Sequence, residues 1–268
     1  MMNPRFSNRS ATINVMTAAI QKASRALVRD FGEVEHLQVS KKGLGDFVSS
    51  ADHRSEKTLI QELRKARPDY GFIAEESGII PGADSEHCWI IDPLDGTTNF
   101  LHGIPHFAIV VALKKGNEII ASTTYDPIRD ELFWAEKGKG SFVNQQRIRV
   151  SGRTALDEAL VATGIPFGDH GDKPRFLNCA ERLMPLVSGI RRFGAAALDL
   201  AYVAMGRCDA YFEDDIKIWD VAAGILLVKE AGGYVTETNG GSNMLNSGSI
   251  LAANTYLHEP ILKVLSAK

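Results

Sequence analysis

Only three cysteines occur among the 268 residues, at positions 88, 179 and 208. That is too few, and they are too scattered, for a disulfide framework or a zinc site. Cys88, Cys179 and Cys208 read as reduced thiols acting as small hydrophobes, which points to a reducing compartment, the cytoplasm. Long apolar runs are missing as well. The longest, Phe107–Leu113 and Val221–Val228, fall far short of the about 20 residues that span a bilayer. No strong charge of one sign is present: 30 basic and 33 acidic side chains leave a net charge of −3, which argues against a dedicated nucleic-acid binder. With 44% hydrophobic and 24% charged residues, the composition is that of a folded globule.

Acids are absent before Asp30, while Arg5, Arg9, Lys22, Arg25 and Arg29 are basic. That pattern also occurs in transit peptides. However, Ile13, Met16, Ile20, Ala23, Leu27 and Phe31 step by three or four residues behind Ser10, a candidate N-cap, so the expectation is an amphipathic helix packed on the domain. The stretch Ser40–Asp46 reads as a polar, glycine-containing loop, and Ala51 to Arg67 as a second helix closed by Pro68. Short strands follow at Gly71–Ala74, Cys88–Ile91, Phe107–Leu113, Ile119–Tyr125 and Leu132–Ala135, with an antiparallel hairpin turning at Lys115-Gly116-Asn117. Beyond Ser151, helices are expected at Pro174–Val187, Ala195–Met205, Trp219–Ala231 and Tyr256–Leu265. Strands are expected at Ala159–Thr163, Tyr211–Phe212, Tyr234–Thr236 and Ile250–Ala253. The fold class is layered α and β, with two lobes sharing a cleft.

The most informative run is Trp89-Ile90-Ile91-Asp92-Pro93-Leu94-Asp95-Gly96-Thr97-Thr98-Asn99-Phe100. An apolar strand delivers two carboxylates and then a Gly-Thr-Thr turn that opens a helix, whose free N–H groups favour an anion. An isolated D-x-x-D is most simply a turn with a capping acid; here the whole run has to be explained together. Glu75 also follows a strand, Asp52 sits just inside the second helix, and Asp220 starts a helix after Trp219, which is placed to wall a pocket. Four acids (Glu75, Asp92, Asp95 and Asp220) gathered in one place need two or three divalent cations, and hard oxygen ligands select Mg²⁺, Mn²⁺ or Ca²⁺ over zinc.

Taken together, these segments resemble the inositol monophosphatase family, within the superfamily that includes the fructose bisphosphatases. Lys41 with Asp46-Phe47-Val48-Ser49-Ser50-Ala51-Asp52, then Ala74-Glu75-Glu76-Ser77, Trp89–Asn99, His102-Gly103-Ile104-Pro105, Gly194-Ala195-Ala196, Asp209–Glu213 and Trp219–Gly224 match its motifs over essentially the whole chain. The bacterial members called extragenic suppressors are nearest in length and texture. The resemblance implies an αβαβα sandwich forming a single domain over 1–268, with a metal-binding lobe over about 1–150 and an α/β lobe over about 151–268.

The same resemblance implies one metal on Glu75, Asp92 and the Leu94 carbonyl, a second on Asp92, Asp95 and Asp220, and a weaker third at Glu75, near the loop of Lys41. It implies two or three Mg²⁺, with Mn²⁺ as a substitute and Li⁺ as an inhibitor. Glu75, Thr97 and Asp52 are its catalytic positions, with water activated at the metals. Asp95, Gly96, Thr97, Ala195, Ala196 and Glu213 are its substrate contacts. Relatives commonly carry Ser or Thr where Ala195 stands, so a hydroxyl contact is absent here. The implied reaction is Mg²⁺-dependent hydrolysis of myo-inositol monophosphate. The alternatives within the same chemistry are fructose-1,6-bisphosphatase and histidinol-phosphatase, while a 3′-phosphoadenosine phosphatase is disfavoured by chain length. The implied partners are a small phosphate monoester and a second copy in a homodimer, with no membrane and no direct nucleic acid. A separate binding role with the transcription and ribosomal-RNA machinery would draw on Arg191-Arg192.

Overall fold

In the computed structural model, which describes the backbone of residues 9–37, 41–168 and 171–267 and the side chains of these except 35–49, the acid-poor N-terminal stretch is helix α1 (Ala11–Leu37). Ser10 caps it as expected, its Oγ accepting the Ile13 N–H at 3.2 Å, and Ile13, Met16, Ile20, Ala23 and Leu27 are buried. Arg5 lies outside the described residues. Helix α2 runs Lys41–Ala66, which corrects the loop expected over Ser40–Asp46. Ser40 is outside the described residues, but from Lys41 onward the backbone is helical. Leu44, Phe47, Ala51, Leu59 and Leu63 keep a spacing built from threes and fours. Gly43 and Gly45 each weaken a helix by about 1 kcal/mol without forbidding it. Lys41 is the first residue of α2, and its side chain is among those not described.

The chain continues through β1 (Tyr70–Ala74), β2 (Gly78–Ile80), β3 (Asp84–Asp95), α3 (Thr97–Leu101), β4 (Ala108–Lys115), β5 (Glu118–Asp126), β6 (Glu131–Glu136), β7 (Gly140–Val143) and β8 (Gln146–Ile148). These strands form one sheet in the order β2-β1-β3-β4-β5-β6-β7-β8; β1 and β3 are parallel and the other neighbours antiparallel. The β4–β5 hairpin turns where expected, with Lys115 opposite Glu118. Then come β9 (Leu160–Thr163), α4 (Lys173–Leu183), β10 (Gly189–Arg191), α5 (Ala196–Ala204), β11 (Ala210–Asp214), α6 (Ile218–Glu230), β12 (Tyr234–Thr236), α7 (Met244–Ser247), β13 (Ser249–Ala253) and α8 (His258–Ser266). The second sheet has the order β10-β9-β11-β13-β12.

Three apolar clusters define the layers. One joins α1 and α2 to the outer face of the first sheet, through residues such as Ile20, Leu59, Trp89 and Ile91. A central cluster packs α5 and α6 between the two sheets, through Ile90, Val110, Leu200, Ala222 and Tyr211. The third seals α4 and α8 onto the far face of the second sheet. The order α, β, α, β, α is the sandwich that the resemblance implied, with its middle layer serving both sheets. Trp219 packs against this central core. Among the described residues no helix is long and apolar enough to cross a membrane.

Candidate active site

A regular strand sends residues i and i+3 to opposite faces, yet Asp92 and Asp95 both face the middle layer. The pairing of β3 with β4 explains this: Asp92 is opposite Val110 and Asp95 opposite Ala108, so Pro93 and Leu94 together face the single residue Ile109. This is a β-bulge, and one extra residue restores the parity. Pro93 suits it because it has no N–H to lose from the ladder. Ile90 accordingly packs in the central cluster, while Ile91 and Leu94 pack in the outer one. The Leu94 side chain is thus in the core, and its carbonyl accepts the Thr97 hydroxyl at 3.0 Å.

Neighbouring elements bring the remaining acids to the same face. The pairing of β1 with β3 ends at Ala74 opposite Ile91, so Glu75 stands beside Asp92, its N–H directed at the Ile91 carbonyl at 3.3 Å. Asp220 lies in the first turn of α6, where its Oδ2 accepts the Lys217 N–H at 2.9 Å. It therefore caps the helix and also reaches the cluster. Carboxylate oxygens of Asp92, Asp95 and Asp220 lie within 4.8 Å of one another. Asp92 Oδ1 accepts the Leu94 N–H at 2.9 Å. Asp95 is held by the first amides of α5, Ala196 at 3.2 Å and Ala197 at 2.8 Å. Gly96, at φ +92°, permits this approach, since a side chain there would meet the His106 carbonyl at 3.0 Å and the Ala195 Cβ at 3.2 Å. Asn99 ties the same loop down, donating to the carbonyls of His106 and Phe193, both at 2.8 Å.

The electrostatics are those of negative charge confined in an apolar setting. Burial, followed by Glu75, Asp95 and Asp220, pushes the Asp92 carboxyl well above the usual range. Burial and Asp220 do the same to Asp95. Glu75 is raised to about 7 and Asp220 to about 6, burial being the first cause in each. Asp52 is raised to about 8 by burial and by Glu75, Glu76 and Glu56, and its Oδ1 is buried without a hydrogen-bond partner. Cation coordination by the clustered oxygens would relieve the repulsion. The donor set, all hard oxygen, fits Mg²⁺ or Mn²⁺.

From Glu75 a cleft of about 340 Å³ extends to Glu213 and Lys217. Glu213 accepts the hydroxyl of the buried Tyr211, and burial lifts its carboxyl to about 7. Its carboxylate lies over Gly164, where any Cβ would overlap it. Ala195 is buried behind Gly96, and the Ala196 amide is engaged with Asp95. Thr97 bonds to Leu94, and among the described residues no hydrogen bond joins it to Asp52. Sequence reasoning overlooked Ala197, and also Ser55 and Glu56, which lie one helical turn beyond Asp52 on the same face of α2. The spacing Asp52-x-x-x-Glu56 was the available signal.

The sequence pattern of the inositol monophosphatase family matches residues 8–268. An inositol-1-monophosphatase of Mesorhizobium japonicum is 51% identical over 96% of this chain and 97% of that protein. A Nus factor SuhB of Pseudomonas aeruginosa is 41% identical over 94% and 95%. The crystal structure of the extragenic suppressor protein suhB from Bartonella henselae superimposes with a TM-score of 0.89 at 52% identity, covering 96% of this chain and 98% of that one.

Proposed function

The chain belongs to the inositol monophosphatase family, and from that premise we propose that it hydrolyses myo-inositol monophosphate to inositol and phosphate with Mg²⁺ held by Glu75, Asp92, the Leu94 carbonyl, Asp95 and Asp220. The observation that carries this reading is the meeting of Asp92, Asp95 and Asp220 oxygens within 4.8 Å in a buried setting. When bound there, paired Mg²⁺ ions supply Lewis acidity to the phosphate oxygens and make a water acidic enough to attack.

The protein's own groups do the rest. Asp52 accepts the proton of the attacking water at its unpartnered Oδ1, a role open to it once cations beside Glu75 offset the negative charge that raises its carboxyl. Thr97 orients that water through its hydroxyl, and the Gly96 and Thr97 amides hold a phosphate oxygen. Glu213, anchored by Tyr211, accepts hydrogen bonds from ring hydroxyls, while Ala195 and Ala196 form the small wall beside the ring. The lysine of the third metal site would be Lys41.

Phosphate release from inositol 1-phosphate, fructose 1,6-bisphosphate and histidinol phosphate, with Mg²⁺, Mn²⁺ or EDTA, tests the reading. Inositol 1-phosphate should be the best substrate, and EDTA should stop turnover. Release indifferent to EDTA, or confined to the other two esters, overturns it. We further propose that the protein is cytoplasmic, in keeping with its three free thiols, and acts as a homodimer. The Nus factor names of relatives at 41–42% identity favour a second role in contact with the transcription machinery, for which co-purification with RNA polymerase is the test.

A further inference from the structure

Helix α2 grips the backbone around the candidate ligands at two points that the proposed chemistry does not use. Glu56 is only 2% exposed, yet it lies among other acids. Its Oε2 accepts the Glu76 N–H at 2.8 Å, and its Oε1 accepts the Ser77 N–H at 3.0 Å and the Ser77 hydroxyl at 2.5 Å. One residue earlier, Ser55, equally buried, donates to the Pro93 carbonyl at 3.0 Å, between Asp92 and Leu94. Both strand ends that carry metal-ligand candidates are thus fastened to a single turn of α2.

A glutamate is an expensive choice for this place if packing is all it provides, because its charge adds to the repulsion on Asp52 and Glu75. What a carboxylate offers, and neutral side chains of that size do not, is two acceptor oxygens facing three donors. A glutamine would turn an N–H₂ group toward at least one N–H. The three bonds fix the turn 75–77 on one side, while the Glu75 N–H directed at the Ile91 carbonyl holds it on the other. The Glu75 carboxylate therefore stands where it does because its backbone is clamped between β3 and α2.

We propose that Glu56 is a positioning residue that sets the affinity of the divalent cation shared by Glu75 and Asp92. The proposal rests on the metal assignment made above. Groups that orient metal ligands typically change affinity by about 10- to 100-fold when removed. Without Glu56 the turn 75–77 is held from one side only and the Glu75 carboxylate is less well placed, while Asp92, Asp95 and Asp220 remain. The Mg²⁺ requirement should therefore rise more than kcat at saturating Mg²⁺ falls.

Mn²⁺ binding to the full chain, followed by electron paramagnetic resonance, separates the possibilities, with melting in EDTA as the check on folding. Glu56→Gln should weaken Mn²⁺ binding at least about 10-fold, and Ser77→Ala, which keeps both amide bonds, by much less. Asp92→Asn should remove binding and serves as the control on the assignment itself. If Asp92→Asn binds Mn²⁺ as the wild type does, the metal assignment falls. If Asp92→Asn fails to bind while Glu56→Gln binds within about twofold of wild type, the assignment stands and the positioning role is refuted. A lower melting temperature with unaltered Mn²⁺ affinity likewise makes Glu56 merely structural and refutes it. Should Glu56→Gln not fold, Glu56→Asp, one methylene too short to reach both amides, takes its place under the same criteria.

Discussion

Replacing Asp92 with asparagine should move stability and activity in opposite directions. The substitution is isosteric: Oδ1 can keep the Leu94 N–H at 2.9 Å, and the new amide offers a donor to the neighbouring acids, among them Asp220, whose carboxylate reaches within 4.8 Å. In metal-free protein at pH 8, folding must either bury the Asp92 charge or take up a proton, because burial holds this carboxyl well above its usual range. The variant has neither charge nor proton to accommodate, so its metal-free fold should be the more stable. Its melting temperature in EDTA should rise, by about 2 °C for each kcal/mol gained at this chain length. In Mg²⁺ the order should reverse, because only the wild type gains stability from binding. Activity should fall more than about 100-fold, since both proposed metals share this ligand. Differential scanning fluorimetry in EDTA and in Mg²⁺, with phosphate release on the same samples, gives both readouts. A lower melting temperature in EDTA, or more than about a tenth of wild-type turnover at saturating Mg²⁺, would refute the reasoning.

Glu213→Gln should impair hydrolysis of inositol 1-phosphate far more than that of an aryl phosphate, whose leaving group has no ring hydroxyls to bind; equal losses in kcat/KM would assign Glu213 to structure. Metal-free protein should lose stability from pH 7 to 8.5. Asp52, Glu75 and Glu213 have folded pKa values raised to about 8, 7 and 7, so the stability their protons contribute is complete below the unfolded carboxyl pKa and vanishes as pH passes the folded values. His106 and His258, both depressed by burial, are neutral in this window and leave the slope to the acids, so a flat melting profile in EDTA counts against the buried cluster. Millimolar Li⁺ should inhibit uncompetitively with substrate, and excess Mg²⁺ should relieve it. Na⁺ at equal ionic strength should do much less, and indistinguishable effects would reduce the inhibition to general screening.

The sequence made the ligand types legible before their arrangement. Asp92, Asp95, Glu75 and Asp220 announce themselves because acids at the ends of apolar strands and in the first turn of a helix are chemically conspicuous. That Asp92 and Asp95 share a face depends on a bulge, and Pro93 is only a hint of it. Asp220 shows how local and tertiary readings overlap, since the capping role that a first-turn acid usually has is present alongside the cluster. Gly43 and Gly45 read as loop residues, and their cost of about 1 kcal/mol each in a helix hides the first turns of α2 from a reading by propensity. Among the elements of three or four residues, β9 and β12 are legible in the sequence, whereas β2, β7, β8, β10 and α7 are not; partners across the sheet or core define them. Glu56 is harder to read: its spacing from Asp52 marks a shared helix face, but its partners are backbone amides 20 and 21 residues away, and backbone donors leave no mark in a sequence.

The bulge in β3 also has a genetic consequence. Because strand faces alternate residue by residue, the spacing between Asp92 and Asp95 acts as a parity bit. A single in-frame codon lost between them would regularise the ladder opposite Ile109 and leave the two acids only two positions apart, still on one face. A codon gained would set the acids four positions apart. A straightened ladder would then keep them on one face but part them by two further strand steps, about 7 Å. With the bulge retained, Asp95 would turn toward the α1–α2 layer. Insertions and deletions in this segment are therefore unequal in kind: a loss leaves the acids opposite the same two residues of β4, whereas a gain separates them in either arrangement. A library that varies only the length of this segment would read out that asymmetry directly, as cation binding kept on one side and lost on the other.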